Sequence, residues 1–356
     1  MIKNKASMAH TTPTFSFKVK VVTKKLLTAI PERSRIIIAR RFGLDKDTEK
    51  MTLEAIGETY DITRERVRQI EANSIASIRK SDAFKEEGRV FDELTLYIRK
   101  IGGVIAEHDL LDHLSRDLST QNHFHFLLII GDQFKKEKET EDFHHRWHVD
   151  TELSKKIHEA LKKLYTNLSD EALIPETEMI KSFMDNLKEV SEDIKNDEVA
   201  KRWLRISKHI DKNPLGEWGK SGSTNVRVKG IRDYAYLAMR KHGSPVHFKE
   251  IAKLIQTVFG KRAHEATTHN ELIKDERFVL VGRGLYALAE WGYVSGVVRD
   301  VIRKVLNKYG PMTREEIFNR VMKERYVKEN TVLVNLQNGT YFKKASDGKY
   351  HVVGEK

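Results

Sequence analysis

The chain has 356 residues and no cysteine. Without cysteine it can form neither a disulfide scaffold nor a thiolate-ligated zinc or iron–sulfur site, and the composition is consistent with a reducing compartment. Long apolar runs are missing as well, because the densest, residues 127–130, is far shorter than the roughly 20 residues of a membrane-spanning helix. Residues 1–20 lack the apolar core of a secretion signal. We therefore expect a cytoplasmic protein with no membrane partner, in which residues 1–20 form a flexible basic arm.

Motifs for catalysis and cofactor binding are also absent. No Gly-x-x-x-x-Gly-Lys-Ser/Thr phosphate loop occurs, and Gly282-Arg-Gly284 is too short for a dinucleotide fingerprint. Paired acidic residues followed by Glu-x-Lys, an arrangement of many nucleases, do not occur either. We predict that the protein is not an enzyme, and we expect no cofactor and no small-molecule substrate.

Histidines are concentrated in one part of the sequence. Two histidines spaced two apart on a strand can share one metal ion. However, the first two histidines precede a helical apolar run and the other three lie on a predicted wing, so positions on the surface or on a wing are the preferred interpretation. We therefore expect no metal site at these histidines, which are His123, His125, His144, His145 and His148.

Charge is distributed unevenly over a chain whose formal net charge is +12. Residues 1–80 contain 17 Lys and Arg against 9 Asp and Glu, whereas residues 81–230 contain 24 against 29. Residues 231–356 contain 23 against 14. Two basic ends around an acidic middle favour two parts that contact a polyanion, joined by a segment with another role. The alternative is that the lysine-rich surfaces serve only solubility.

Residues 52–72 have the pattern of two short helices around a tight turn. Leu53, Ile56 and Tyr60 recur at helical spacing, and Thr52 and Thr63 are suitable N-caps for the two helices. This pattern predicts a helix-turn-helix.

The second of these helices has two different faces. One face holds apolar or small residues and is predicted to be packed, and these residues are Val67, Ile70, Ser74 and Ile78. The opposite face carries Glu65, Arg68, Gln69 and Ala72. Arg suits guanine, Gln suits adenine and Glu accepts from cytosine, so this face is equipped for the major groove. The alternative is an ordinary charged face that is only solvated.

Residues 27–80 resemble region 4 of sigma-70-type transcription initiation factors. The matching motifs are Ile30-Pro-Glu-Arg33, Ala39-Arg-Arg-Phe-Gly-Leu44, Thr52-Leu-Glu-Ala-Ile-Gly57 and Thr63-Arg-Glu-Arg-Val-Arg-Gln-Ile-Glu-Ala72. The resemblance implies that the second helix enters the major groove of a promoter −35 element. It also implies that Thr52 lies near a phosphate and that the remaining contacts come from Arg64, Glu65, Arg66, Arg68 and Gln69.

A second pattern recurs after residue 90 with a period of roughly 60–70 residues. Each copy has a helix that ends at glycine, a short extended step, further helical stretches and two strand-like runs that end at an aromatic residue. The closing aromatic residues are Trp147, Trp218, Trp291 and Tyr350. Three helices followed by a two-stranded hairpin describe a winged helix. We therefore expect a mainly α protein in which a region 4-like helix-turn-helix precedes tandem winged-helix units.

The predicted domains follow from these patterns. After the arm, the N-terminal module (21–80) precedes the first repeat (90–149), the second, divergent repeat (152–219), the third repeat (228–292) and the fourth repeat (295–353). Residues 81–89 and 220–225 have the composition of linkers.

The third repeat resembles HARE-HTH winged-helix domains, a class that includes the N-terminal domain of the RNA polymerase delta subunit. The residues that carry this resemblance are Asp233-Tyr-Ala-Tyr-Leu-Ala-Met239, Pro245-Val-His-Phe-Lys-Glu-Ile-Ala252, Asn270-Glu-Leu-Ile-Lys-Asp-Glu-Arg-Phe278 and Gly282-Arg-Gly-Leu-Tyr-Ala-Leu288. The resemblance implies contacts with nucleic acid or with polymerase.

Two further DNA contacts are predicted, because the third helix of a winged helix usually enters the groove and its hairpin touches the backbone. In the third repeat the candidates are Thr267, Thr268, His269 and Asn270, with Arg283 on the hairpin. In the fourth repeat they are Asn330, Thr331 and Asn335, with Lys343 and Lys344 on the hairpin. Winged helices also dock proteins, so protein contact remains an alternative for both.

The favoured hypothesis is a bacterial-type transcription regulator that binds promoter-like double-stranded DNA. No aromatic-rich segment resembles sigma region 2, which opens the −10 element, so we expect a protein that is not a complete sigma factor. The alternative is an RNA polymerase-associated interaction protein with little sequence-specific DNA binding, since region 4 in its family also grips the polymerase β flap. A mobile-element or phage factor that competes with the host sigma factor is a third possibility.

Overall fold

The computed structural model describes residues 13–45, 49–187, 196–293, 298–324 and 329–353, and most of these residues are helical. The helices are α1 (Val19–Leu27), α2 (Glu32–Phe42), α3 (Leu53–Tyr60), α4 (Arg64–Lys80), α5 (Asp82–Glu86), α6 (Gly88–Lys100), α7 (Glu107–Leu114), α8 (Leu118–Ile130), α9 (Thr151–Asn167), α10 (Glu176–Asp185), α11 (Asp197–Leu204), α12 (Ile231–His242), α13 (Phe248–Phe259), α14 (Glu265–Lys274), α15 (Val298–Tyr309), α16 (Arg314–Glu324) and α17 (Glu329–Leu336). The predicted mainly α class is confirmed. Among the described residues, no helix is both long and apolar enough to cross a membrane.

The strands are short and occur in four small sheets among the described residues. They are β1 (Val104–Ala106), β2 (Lys135–Glu137), β3 (Arg146–His148), β4 (Ile210–Lys212), β5 (Trp218–Lys220), β6 (Val246–His247), β7 (Phe278–Gly282), β8 (Leu285–Leu288), β9 (Phe342–Lys344) and β10 (Tyr350–Val352). The sheet orders are β1-β3-β2, β4-β5, β6-β8-β7 and β10-β9.

One strand pairing recurs in all four repeats. Ile105 pairs with Trp147, and Val246 pairs with Tyr286, so the step between the first two helices joins the second hairpin strand. Isolated bridges make the same connection between Ile174 and Trp218 and between Met312 and Tyr350. Each repeat therefore has three helices, a hairpin and one extra extended step in the same order.

Spatially, the described residues form two compact units. The first runs to Asp211 and includes Trp218–Ser221, and the second comprises Lys212–Glu217 and the residues from Gly222 onward. The division after Ser221 falls inside the predicted linker 220–225.

The N-terminal module and the first repeat share one hydrophobic core in the first unit. The core joins side chains of α1 and α2 to side chains of α6 and α8 and to Trp147. Phe42 of α2, for example, meets Phe126 of α8 edge to face at a centroid distance of 5.2 Å. Because such burial contributes about 25 cal/mol per Å², this shared core holds the two parts together as one body.

The predicted linker at residues 81–89 is wrong, because those residues are α5 and the start of α6. The Ser81 hydroxyl accepts a hydrogen bond from the Phe84 amide at 3.2 Å, which caps α5. Phe84 then packs on Phe91 of α6 at 4.8 Å. An N-cap and an aromatic anchor outweigh the charged composition that favoured a linker.

The boundary of the predicted arm at residue 20 is also wrong. Phe15 lies 5.4 Å from the Phe124 ring, the hydroxyl of Ser16 donates to Glu93 at 2.6 Å, and α1 already begins at Val19. Residues 1–12 of the arm lie outside the described residues.

The core of the second repeat contains Phe183, Trp203 and Trp218, and it extends to Val104 and Phe143 of the first repeat. In the second unit, buried side chains of α12, α13 and the sheet β6-β8-β7 form the interior of the third repeat. Another cluster, around Val301, Ile317 and Phe342, forms that of the fourth.

Candidate nucleic-acid interface

The helix-turn-helix in the N-terminal module consists of α3, a three-residue turn and α4. The Thr52 hydroxyl accepts a hydrogen bond from the Ala55 amide, and the Thr63 hydroxyl accepts one from the Arg66 amide, both at 3.1 Å. These bonds satisfy otherwise unpaired amides in the first turn of each helix. Both threonine caps were predicted from the sequence.

The turn itself is tight at two points. Asp61 has a left-handed backbone with φ of 52°, a conformation that aspartate tolerates better than most residues. A Cβ atom added to Gly57 would lie 2.6 Å from the carbonyl oxygen of Ile62. Because residue 57 is glycine, α3 can pack closely against the turn. This close packing sets the angle between α3 and α4.

The two faces of α4 differ as predicted. Val67, Ser74 and Ile78 are buried, and Val67 packs with Ile37 and Ile56 in a small core between α2, α3 and α4. On the other side, the predicted contact residues Arg64, Glu65, Arg66, Arg68 and Gln69 are all exposed, and so is Thr52. Packing of one face thus presents all the predicted base-contacting side chains of α4 to solvent.

The exposed side chains of α4 bind one another. Arg68 donates to both oxygens of the Glu65 carboxylate, from Nε at 2.8 Å and from Nη2 at 2.7 Å. Gln69 donates to the same carboxylate at 3.4 Å and accepts a hydrogen bond from Arg66 at 3.2 Å. The result is a network of Glu65, Arg66, Arg68 and Gln69, which we call the α4 polar network.

The charges in the α4 polar network stabilise each other. Hydrogen bonding from Arg68 lowers the pKa of the Glu65 carboxyl below its ordinary value. Hydrogen bonding from Glu65 in turn raises the pKa of Arg68. Both groups are therefore charged at neutral pH, and the network contains a carboxylate acceptor beside guanidinium and amide donors, the set that base edges require.

Comparison with known proteins identifies this module. Residues 26–80 match the family described as Sigma-70, region 4. Residues 26–80 form a sigma-70 region 4 domain. The RNA polymerase sigma factor RpoD of Neisseria gonorrhoeae is 43% identical over 58 residues, which are 16% of this chain and 9% of that protein. The RpoD of Helicobacter pylori is 43% identical over 61 residues, 17% of this chain and 9% of that protein.

The chain therefore spans 9% of the length of these curated relatives. The prediction of a region 4-like helix-turn-helix is confirmed over this part. A region 4 domain is a helix-turn-helix found in sigma factors, and its presence supports a transcription-related role that involves DNA.

Hydrogen bonds from three polar side chains fix the region 4 domain internally and on the first repeat. Arg41 of α2 bonds to Glu71 of α4 at 3.2 Å. Arg79, near the end of α4, donates to the carbonyl oxygens of Ile129 and Ile130 at 2.9 Å each. These carbonyls are at the C-terminal end of α8, where the helix dipole favours a cation. The amide of Asn122 on α8 donates to the Gly43 carbonyl, also at 2.9 Å.

These anchoring residues were not predicted from the sequence. Residues 124–130 are apolar apart from His125, and an apolar surface around a whole helix indicates burial on all sides. That pattern could have identified α8 as the element on which the region 4 domain sits.

In the third repeat, the four predicted contact residues of α14 differ in their exposure to solvent. Thr267 and Asn270 are exposed, whereas Thr268 is fully buried and donates its hydroxyl to the His264 carbonyl at 2.9 Å. His269 packs against the Phe248 ring at 4.5 Å. Thr268 therefore faces the interior of the repeat, and Arg283 is exposed at the hairpin tip.

In the fourth repeat, Asn330 and Thr331 are exposed on α17. Asn335 is half-buried and donates to the Thr331 carbonyl at 2.8 Å. On β9, Lys343 and Lys344 are exposed, and the Lys344 ammonium lies 5.9 Å from the centre of the Tyr350 ring.

The clustered histidines have separate surroundings. His125 lies 3.6 Å from Glu107 and His148 lies 3.2 Å from Glu137. His145 lies 3.6 Å from Glu139, and the His144 ring meets that of His108 at 5.8 Å. Within the described part of the chain, no three His, Asp or Glu side chains are placed to share a metal ion.

Proposed function

We propose that the protein is a transcription regulator that binds duplex DNA through α4 and recognises a −35-like promoter element. The observation that carries this proposal is the exposed α4 polar network, which lies on the face opposite the packed residues of a region 4 domain. In the major groove, Arg68 would donate to guanine, Gln69 would pair with adenine, and Glu65 would accept from cytosine. Arg64 and Arg66 would neutralise phosphates, which gives affinity independent of sequence.

Thr52 would assist at the first helix of the motif. Its hydroxyl already caps α3, so it lies at a helix N-terminus where backbone amides and the helix dipole favour a phosphate. Contacts of this kind fix the position of the protein on the duplex, whereas α4 supplies selectivity.

The α4 polar network makes recognition more selective. In free protein the Glu65–Arg68 pair satisfies both partners, so contact with bases must replace these bonds with equivalent ones. A site that offers a guanine acceptor and a cytosine donor replaces both bonds. At a site that offers neither, the pair keeps its own bonds and gains no base contact, so binding there is weaker.

We further propose that the four repeats are winged-helix units and that the third is of the HARE-HTH type. The recurring pairing of the extended step with the second hairpin strand, seen at Ile105–Trp147 and Val246–Tyr286, supports this assignment. The repeats would supply further DNA or polymerase contacts.

Within these 356 residues no segment resembles sigma region 2, so we propose that these residues bind a promoter without opening it. We also propose that the protein has no enzymatic activity. The proposed partner is bacterial-type promoter DNA, so we expect the protein to act in the cytoplasm.

Selection from a random duplex DNA pool tests the main proposal. The wild-type chain is compared with the double variant Arg68→Ala, Gln69→Ala. We expect a motif that the wild type enriches and the variant does not. Enrichment of no motif by folded wild-type protein at low salt would contradict recognition through α4.

The second candidate function is that of an RNA polymerase-associated interaction protein. The segment of residues 81–230 favours this function, because it carries more Asp and Glu than Lys and Arg. However, the apolar faces of α1 and α2 are already covered by α6 and α8 of the same chain. Polymerase would have to bind the remaining surface, and DNA binding that falls steeply with salt would favour the first proposal over this one.

A further inference from the structure

The third helices of the first two repeats are packed against other parts of the protein. In the first repeat this helix is α8, whose residues from Asn122 to Ile130 are buried apart from the half-buried His125 and Ile129. The N-terminal module covers one side of α8 through Phe42, and its own repeat covers the other. This helix cannot enter a DNA groove while the module remains docked.

The third helix of the second repeat, α11, is buried in the same way against the first repeat. Val199 and Trp203 are buried, and the Trp203 indole donates to the Gly102 carbonyl at 3.0 Å. Arg202 also bonds to the Ile101 carbonyl at 3.2 Å. In each of these two repeats the third helix therefore packs on the part of the chain that precedes it.

The third repeat differs, because α14 keeps one open face. Ala266, Thr267, Asn270 and Ile273 are exposed and recur at the spacing of one helical face, and Thr268 and Leu272 face the interior. The open face combines one hydroxyl and one amide with two aliphatic side chains. These four positions carry no charge, but a hydroxyl, an amide and aliphatic groups can each contact base edges or thymine methyl groups.

Exposed basic side chains flank this open face. Lys261 and Arg262 are exposed directly before α14, and Arg283 is exposed at the hairpin tip. Lys274, at the end of α14, lies 3.6 Å from Glu271. Glu265, at the first position of α14, lies 3.9 Å from the Lys249 ammonium. That ion pair offsets the carboxylate that would otherwise repel a phosphate at the start of the helix.

We infer that α14, with Lys261, Arg262 and Arg283, forms a second duplex-DNA interface independent of α4. The basic side chains contact phosphates on both sides of the groove. Thr267 and Asn270 contact base edges, and Ile273 packs on a thymine methyl group. The first two repeats bind no DNA through their third helices.

Charge favours DNA over a protein partner at this surface. Residues 228–292, the third repeat, carry 11 Lys and Arg against 7 Asp and Glu, so the net charge of the repeat is complementary to a polyanion. Ile273, 63% exposed, is the one large apolar side chain of α14 with strong exposure. A single such side chain is normal on a soluble surface and is too little for an apolar protein interface.

The test measures how binding of a random-sequence 20-base-pair duplex depends on salt, using fluorescence anisotropy on the full chain. The variant Lys261→Glu, Arg262→Glu is compared with Lys163→Glu, Lys181→Glu, which makes the same charge change at exposed positions of the second repeat. We expect the first variant to lower the slope of log affinity against log salt by about 2, at about 0.9 per phosphate, with an affinity loss of at least tenfold. The control should retain most of the slope.

A second arm separates this interface from α4. The Lys261→Glu, Arg262→Glu change is repeated in the Arg68→Ala, Gln69→Ala background, where the drop in slope should persist. If α4 selects no motif but the drop persists, only the proposed function fails. An equal slope change in both charge variants would overturn the second interface. Unchanged DNA binding together with lost binding of purified RNA polymerase core would also overturn it and assign α14 to protein docking.

Discussion

Arg68 holds the Glu65 carboxylate with two hydrogen bonds of 2.8 and 2.7 Å, one helical turn apart on the exposed face of α4. The pair keeps the guanidinium in one orientation on a surface where arginine side chains otherwise sample many rotamers. Surface ion pairs contribute little to stability. Under the proposed function, base contact replaces these two bonds, so we expect the pair to contribute to selectivity and little to stability.

Replacing Arg68 tests base recognition directly. We expect Arg68→Ala to weaken binding to the selected site by about 1–3 kcal/mol and to have little effect on random duplex DNA. Lys80→Ala removes the same charge from the far end of α4, so it serves as the matched control and should affect both DNAs slightly and equally. Anisotropy titrations of the wild type and the two variants on both DNAs give six affinities, and an equal loss on both DNAs for Arg68→Ala would refute base-specific contact.

Gly57 is predicted to be required by the turn of the helix-turn-helix. Alanine in a helix normally stabilises relative to glycine by about 0.5–1 kcal/mol, but here the added Cβ would lie 2.6 Å from the Ile62 carbonyl oxygen. We expect Gly57→Ala to lower the free energy of unfolding by about 1–3 kcal/mol. Gly88→Ala has no atom within 4 Å of the new Cβ and should be neutral or stabilising. Urea unfolding followed by circular dichroism measures both, and equal stability of the two variants would show that the turn tolerates a side chain.

Arg79 should stabilise the docking of the region 4 domain on the first repeat. Arg79→Met keeps much of the side-chain volume but leaves the Ile129 and Ile130 carbonyls without their charged donor. We expect a loss of about 1–3 kcal/mol in the free energy of unfolding. Lys80→Met, at the exposed neighbouring position, should change stability by less than about 0.5 kcal/mol. Denaturant midpoints compare the two, and similar midpoints would mean that these bonds add nothing to docking.

The stability of the first unit should fall as the pH decreases from about 6.5 to about 4. Burial, together with the nearby Arg146 guanidinium, lowers the pKa of His158 to about 4, whereas an unfolded histidine titrates near 6.5. Between these values the unfolded chain binds a proton that the folded chain does not, so unfolding becomes more favourable at lower pH.

The variant His158→Gln isolates this contribution. Arg146 donates to His158 at 2.7 Å, and a glutamine oxygen can accept the same bond without titrating. The free energy of unfolding, measured from pH 4 to pH 7, should depend less steeply on pH in the variant. The difference in slope corresponds to the uptake of up to one proton on unfolding. Identical pH profiles would exclude His158 as a source of the acid sensitivity.

Several features followed from local sequence. Thr52 and Thr63 were predicted as caps because hydroxyls at those positions satisfy free amides, and that local bond is present in the structure. The packed face of α4 followed from helical periodicity, with Val67 and Ile78 buried. The positions of Trp147 and Trp218 in second hairpin strands followed from the repeat.

Other features depended on contacts between distant parts of the chain. Thr268 and Asn270 had similar sequence support as DNA contacts, but packing of α14 buries the first and exposes the second. The composition of residues 81–89 predicted a linker, but Phe84 packs on Phe91 and anchors this segment. Neither outcome follows from composition, because each depends on which neighbouring side chain covers the residue.

By itself the sequence determined a region 4 domain, a mainly α fold, and a chemically suitable face on α4, because these follow from caps, periodicity and residue type over short distances. The tertiary structure alone decided which helices remain open. The third helices α8 and α11 are buried against preceding parts of the chain, and α14 keeps an exposed face. Burial depends on long-range packing, so residues that look equally suited to a groove differ in whether they can reach one.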